Sequence, residues 1–376
     1  MKRINIEPRK DYVKKIEELG FNFHTDPDGH KYWKENACYE FTEKEVELIE
    51  KAGNEGYKMF CDAFQYVYDM DLWGLFGIPE KLIPYIKKSW DEDQLSIYGR
   101  FDMVFSPKDN MPKILEFNSD TPSLLLESSI LQWNLKEEVF PNADQFNLIH
   151  ESLVNSWIDI HQRYNSSRYY FACSRESVED QETTQYLLST AMEAGLNTAE
   201  IEMEQLLWEE NDNCFYSPGG ERIETCFKMY PWEFLYTECL DACLADCNWI
   251  EPMWKMIMCN KNILPIVHRL FPDNPFILKA STSPVGMSSY AKKATLGREG
   301  ENITLVKDGK ILEKCEGDYD ESGYIYQELI DAPTFDGKTP VLGVWIIGGS
   351  CVGMGIRECD TKITNNTSEF IPHIIV

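Results

Sequence analysis

The chain has 376 residues, of which 43% are hydrophobic and 13% aromatic. That composition excludes a disordered chain and allows a large core divided among two or three subdomains. A formal charge of −27 excludes nucleic acid and an anionic membrane surface as expected partners. It favours cationic small molecules, amines included, although solubility alone would account for it equally well. The polar start Met1-Lys-Arg-Ile-Asn-Ile-Glu7 carries no basic-then-apolar leader, and no apolar run reaches the length of a membrane helix. Together with 12 cysteines, this predicts a cytoplasmic protein with free thiols.

Apolar spacing of three to four predicts helices over 11–19 and 42–64, with Thr42-x-x-Glu45 as a capping box. Pro79 is placed to open another helix, so the opening third reads as mostly helical. The pattern then changes. Arg100 and Asp102 in Tyr98-Gly-Arg-Phe-Asp102, and Glu116 and Asn118 in Leu115-Glu-Phe-Asn118, occupy every second position of two short β-like runs. Alternate residues of a strand share a face. Ser106-Pro-Lys-Asp-Asn-Met-Pro-Lys113 between them has turn chemistry. A hairpin centred on Asp109 would set Asp102 opposite Glu116 and Arg100 opposite Asn118. Carboxylates that close are unfavourable unless a cation lies between them. Hard oxygen ligands in small number suit Mg²⁺ with substrate phosphates completing its shell, and arginine suits those phosphates. A surface hairpin with a cross-strand salt bridge fits this motif alone equally well.

Helices are expected over 123–135 and 146–163, then a strand over 168–173, a helix over 179–195 stopped by Gly195, and a strand over 197–203. This alternation implies an α/β layer. A strand over 222–230 and a helix over 232–247 follow. Cys239, Cys243 and Cys247 would share one face of that helix at i, i+4, i+8. Structural zinc sites use tighter pairs such as Cys-x2-Cys, so these three read as buried apolar residues. In Lys292-Lys-Ala-Thr-Leu-Gly-Arg-Glu-Gly-Glu-Asn-Ile303, Gly297 and Gly300 allow a tight loop whose amides can approach an anion, with charge from Lys293 and Arg298. It is not a Walker A motif. Lys261, Lys279 and Arg357 are further cations, and Tyr326-Gln-Glu-Leu329 ends a strand with free backbone polar groups suited to an adenine edge. Taken singly, each reads as a solvated side chain, a charged loop or a strand end. Strands are expected over 323–328, 341–347 and 351–357, the last two joined by a Gly348-Gly349-Ser350 turn.

Six blocks occur in an order that carries a resemblance: Glu116-Phe-Asn-Ser-Asp-Thr-Pro122, Glu251-Pro-Met-Trp-Lys255, Asn260-Lys261, Gly297-Arg-Glu-Gly300, Ile325-Tyr-Gln-Glu328 and Gly355-Ile-Arg-Glu358. With them the chain resembles, over nearly its full length, the synthetase part of the glutathionylspermidine synthase family, in its smaller single-function acid–amine ligase branch. The resemblance implies an α/β (α+β), ATP-grasp-like fold with circularly rearranged topology and a helical N-terminal region. It implies one catalytic unit of interwoven subdomains over 1–376, a lid over about 257–310, and no amidase domain. Asp102, Glu116 and Asn118 would be the Mg²⁺ ligands, and Arg100 and Arg357 would hold the transferring phosphate oxygens. Lys261 and Lys293 would contact ATP phosphates beneath a loop from Gly297 to Gly300. Gln327 and the backbone of Glu328, Leu329 and Ile330 would hold adenine. Thr121 and Ser123 would lie beside the acid substrate, whose carboxylate Arg298 would reach.

The family's lysine–proline step before the glycine loop is Lys293-Ala294 here, which makes the start of that loop less rigid. No block matches a polyamine-binding acidic cluster; Glu204, Glu209 and Glu210 read as a charged helix face. The implied reaction is ATP-dependent amide formation through an acyl phosphate. It would join a small acid (glutathione-like, or another peptide or amino acid) to a polyamine-like amine. The alternative is a nucleotide-binding sensor or scaffold without ligase activity. A two-metal phosphohydrolase ranks below both, because the six histidines are not clustered.

Overall fold

The hairpin centred on Asp109 forms. Tyr98–Ser106 and Met111–Asn118 pair antiparallel, Arg100 faces Asn118 and Asp102 faces Glu116. These strands belong to a computed structural model that describes residues 1–25, 29–365 and 368–376. The register shifts after Asp102, so that Met103 pairs with Ile114 and Leu115 is the extra residue of a bulge. Its freed carbonyl accepts from Lys293 Nζ at 3.1 Å.

The hairpin is one edge of a five-stranded antiparallel sheet that continues through Thr339–Ile347, Ser350–Cys359 and Glu369–Ile371. Strand alternation gives this sheet two faces of different chemistry. On one, Phe101 and Phe117 stack at 4.1 Å and meet Phe60 of the long helix Glu43–Asp69 edge-on. On the other lie Arg100, Asp102, Glu116 and Asn118. The helix begins with the predicted capping box: the Thr42 hydroxyl accepts from the Glu45 amide and the Glu45 carboxylate from the Thr42 amide. The turn Gly348-Gly349 joins Thr339–Ile347 to the next strand with φ of 54° and 80°, a left-handed backbone that glycine adopts without steric cost.

A four-stranded parallel sheet runs Asn248–Ile250, Thr225–Met229, Tyr169–Cys173, Thr198–Glu202, with the helix Val178–Glu193 as one crossover. A second five-stranded antiparallel sheet, between Ala280 and Glu328, stands over the hairpin and brings Tyr290–Ala294 and Tyr324–Glu328 side by side. Two strands went unpredicted in the opening third. Lys2–Asn5 pairs with Ala37–Phe41, which pairs on its other side with His373–Ile375 at the far end of the chain. That sheet is fastened to the central one by Glu358, whose carboxylate accepts from Arg3 and from the Tyr39 hydroxyl at 2.7 Å.

The helix expected over 232–247 is a correction. Trp232–Glu238 is helical, the chain leaves helical dihedrals at Cys239, and only a short 3-10 turn, Ala242–Leu244, follows. Asn248–Ile250 must run parallel to Thr225–Phe227, and the extended residues that lead into it end the helical path. Cys239, Cys243 and Cys247 therefore share no helical face; Cys243 is buried and the others are partly so. All 12 cysteines are free. Among the described residues, no group of three or more His, Cys, Asp or Glu side chains could hold a metal, and no helix is long and apolar enough to cross a membrane.

Candidate active site

Asp102 is almost fully buried on the polar face of the hairpin and carries two guanidinium groups. Arg100 Nε donates to its Oδ1 at 2.8 Å and Arg357, from the strand Ser350–Cys359, donates to its Oδ2 at 3.0 Å. Arg100 also donates to the Ser123 carbonyl at 2.8 Å, which draws the segment after Asn118 back over the sheet. Opposite, Glu116 Oε2 lies 3.3 Å from Lys261 Nζ. Burial alone would raise the Glu116 carboxyl, but Lys261, Lys293 and Arg100 outweigh it and hold it well below the usual carboxylate range. Burial pushes Lys293 down to about 8 against the pull of Glu116. Four cations thus surround two carboxylates, leaving an excess of positive charge.

Two cavities meet here, and both are lined by Asp102 and Glu116. The first encloses about 1000 Å³, part of it open to solvent, between the hairpin and the upper antiparallel sheet. Lys261, Lys293, Gly297, Gly300, Gln327, Glu328 and Leu329 line it. Lys261 Nζ donates to the Gly297 carbonyl at 2.6 Å, tying the glycine loop to the turn before the helix Ile263–Leu270. Gln327 Nε2 donates to the Ile114 carbonyl at 3.3 Å, while its buried Oε1 has no partner. The amides of Glu328 and Leu329 are already taken, by the carbonyls of Lys279 and Ser289. Contrary to the expectation of free backbone groups at this strand end, those two donors are occupied.

The second cavity spans about 1490 Å³, part of it open to solvent, on the far side of the Asp102–Glu116 pair. Arg100, Asn118, Thr121, Ser123, Arg298 and Arg357 line it. The sequence-predicted residues therefore divide into two sets that meet at the two carboxylates and at Gly300, which lines both cavities. Sequence reasoning missed one wall of this cavity, formed by Glu176, Glu179 and Asp180 at the start of the helix Val178–Glu193. Burial and the neighbouring Glu179 push the Asp180 carboxyl up to about 6. The signal was present as Ser177-x-x-Asp180, which reads first as an N-cap and does serve as one, the Ser177 hydroxyl accepting from the Asp180 amide at 3.2 Å. Glu204, Glu209 and Glu210 do not line it. Also missed were Asp120, Lys228 and Glu233. Lys228 and Asp120 form a fully buried pair at 2.9 Å, and Glu233 pairs with Arg298.

Residues 3–376 match the family described as glutathionylspermidine synthase preATP-grasp. The chain belongs to this family. It is 33% identical over the whole of both chains to a Haemophilus influenzae protein named "Putative acid–amine ligase". Trypanothione synthetase of Crithidia fasciculata is 29% identical, over 85% of this chain and 53% of that one. The bifunctional glutathionylspermidine synthetase/amidase of Escherichia coli is 26% identical, over 90% and 59%. The chain thus spans little more than half the length of these last two relatives. A glutathione synthetase-like effector from Globodera pallida superposes with a TM-score of 0.59 at 10% identity, covering 89% of this chain and 88% of that one. The fold is α/β and ATP-grasp-like, and the family places the chain among ATP-dependent carbon–nitrogen ligases.

Proposed function

We propose that the chain uses Mg²⁺ and ATP to join a small-molecule acid to an amine, through an acyl phosphate formed where the two cavities meet. The observation that carries this reading is the Asp102–Glu116 pair, which lines both cavities at once. A nucleotide in the first cavity would direct its γ-phosphate toward that pair, and an acid in the second would meet it from the opposite side. The upper antiparallel sheet, with the segment 257–310, serves as the lid.

The residues present fit both cofactors. Asp102, Glu116 and Asn118 offer oxygen donors on one sheet face, a sparse set of the kind that suits Mg²⁺ sharing its shell with phosphates. Bound there, the ion would neutralise charge on the transferring phosphoryl group. Arg100, Arg357, Lys261 and Lys293, now paired with carboxylates and carbonyls, would turn to phosphate oxygens. The orphaned acceptor Gln327 Oε1 matches the exocyclic amine of adenine.

A carboxylate oxygen of the acid attacks the γ-phosphorus and ADP leaves. The amine nitrogen then attacks the acyl carbon, phosphate departs and the nitrogen loses a proton. Carboxylate and γ-phosphate repel each other, so the arginines are needed to bring them together, and the glycine loop excludes water from the acyl phosphate. The wall of Glu176, Glu179 and Asp180 would attract a cationic amine, and polyamine-like substrates are the class proposed. The acid is proposed to be glutathione-like or another peptide or amino acid. A sensor without ligase activity has no use for a second cavity that opens on the same two carboxylates.

The test is a panel of acids crossed with amines in the presence of Mg-ATP, read as ADP release and product mass. At least one pair should release ADP only when acid and amine are both present. ADP release independent of both, or nucleotide binding with no turnover across the panel, would contradict the reading.

A further inference from the structure

Arg298 rises from the glycine loop, and its guanidinium is held from two sides. Its Nε and Nη2 both donate to Glu233 Oε1, at 3.2 and 2.5 Å, and its Nη1 donates to the Thr121 hydroxyl at 3.0 Å. Burial works against both charges. It is outweighed by their mutual attraction, which raises Arg298 and lowers Glu233. Glu233 is itself fixed. It lies in the first turn of Trp232–Glu238, and the amide of Trp232 donates to Asp120 Oδ2 at 3.0 Å. Asp120 is held in turn by the buried Lys228, whose ammonium also donates to the Tyr230 carbonyl at 2.8 Å.

These contacts close a ring: Asp120 to Trp232, Glu233 to Arg298, Arg298 to Thr121, and back along the chain to Asp120. It joins the segment that leaves the hairpin at Asn118, the helix that follows the parallel-sheet strand Thr225–Met229, and the glycine loop. We propose that Glu233 is a positioning residue that fixes Arg298 on the wall of the second cavity for the carboxylate of the acid substrate. The proposal rests on the ligase reading of that cavity.

The distribution of partners on the guanidinium argues for it. The charged partner occupies the Nε–Nη2 edge, and the neutral Thr121 hydroxyl occupies Nη1. An incoming carboxylate would exchange with the neutral hydroxyl and leave the ion pair intact, because breaking a charge-assisted bond costs more. The Arg298 side chain keeps 26% of its surface exposed, so the cavity reaches it. Without Glu233, a long side chain on a glycine-flanked loop would lose its orientation, and acid binding would have to supply that order.

The variants are Glu233→Ala, Glu233→Gln and, should the alanine protein fail to fold, Glu233→Asp. With Mg-ATP, glutathione and spermidine as probes, Glu233→Ala should raise the acid KM about 10-fold, with the ATP KM within about twofold and kcat within about threefold. Glu233→Gln keeps an acceptor oxygen and should restore most of that loss. An unchanged acid KM in Glu233→Ala, or equal rises for acid and ATP, would overturn the proposal. A second measurement needs no turnover and separates this proposal from the ligase reading. Phenylglyoxal modification of Arg298, read by peptide mass, should run about fivefold faster in Glu233→Ala or Glu233→Asp, and near the wild-type rate in Glu233→Gln. Arg222 serves as an internal control. No acceleration at Arg298 would overturn the proposal whichever substrates the protein uses.

Discussion

Asp102 holds two arginines on a buried carboxylate, an arrangement that leaves each guanidinium ready to transfer to an incoming anion. Asp102→Ala or Glu116→Ala is expected to abolish Mg-dependent ATP turnover while circular dichroism stays unchanged; full activity in either variant would remove the metal assignment. Gly343 lies opposite Asp102 on the neighbouring strand, and a Cβ there would come within 2.8 Å of Arg100 Cδ. Arg100 is buried and held by Asp102 and Ser123, so the clash must displace it, and Gly343→Ala should cost about 1–3 kcal/mol of stability and lower kcat about 10-fold or more by moving the guanidinium. Steady-state kinetics beside a urea melt separates the two effects. The alternating residues were legible in the sequence because a strand's period of two is local. Glu233 and Asp120 were not, since their partners lie 65 and 108 residues away and nothing nearby marks them.

At the level of elements, the period-two hairpin and the capping box at Thr42 declared themselves, while the bulge at Leu115 did not. A bulge depends on what the extra carbonyl meets, here Lys293, and that partner comes from another sheet. The failure over 232–247 has the same origin. Local helical spacing competed with a parallel strand at Asn248–Ile250 and lost to tertiary pairing. The Lys228–Asp120 pair, with side chains 0% and 1% exposed, joins that parallel sheet to the loop beyond Asn118. Lys228→Met leaves Asp120 buried without its counter-ion and should destabilise by about 3–5 kcal/mol, measured by urea unfolding. A loss below about 1 kcal/mol would mean that Asp120 finds another partner.

Across the whole molecule, the two ends of the chain meet in one small sheet, and His373, in its last strand, is buried. The Phe146 amide donates to His373 Nε2 at 3.2 Å, while Nδ1 lies 2.9 Å from the Gln132 amide oxygen, which together fit a neutral ring protonated at Nδ1. Burial lowers its pKa to about 3. The unfolded chain then takes up a proton near the ordinary histidine value, about 6.5, that the folded chain refuses. The stability this group contributes is therefore full above that value and lost as pH falls from about 6.5 toward 3, by up to about 1.4 kcal/mol per pH unit. His373→Asn should lower Tm at neutral pH yet flatten its fall between about pH 6 and 4; an unchanged slope would contradict this. The ATP-grasp-like fold was legible because six short blocks kept their order along the chain, whereas the division into two cavities needed the upper sheet in place. The central claim is that ATP activates the acid at the Asp102–Glu116 pair, and isotope transfer tests it most directly. With the acid labelled in both carboxylate oxygens with heavy oxygen, one labelled oxygen should appear in each phosphate released. Unlabelled phosphate, with ADP still formed, would contradict the acyl-phosphate account.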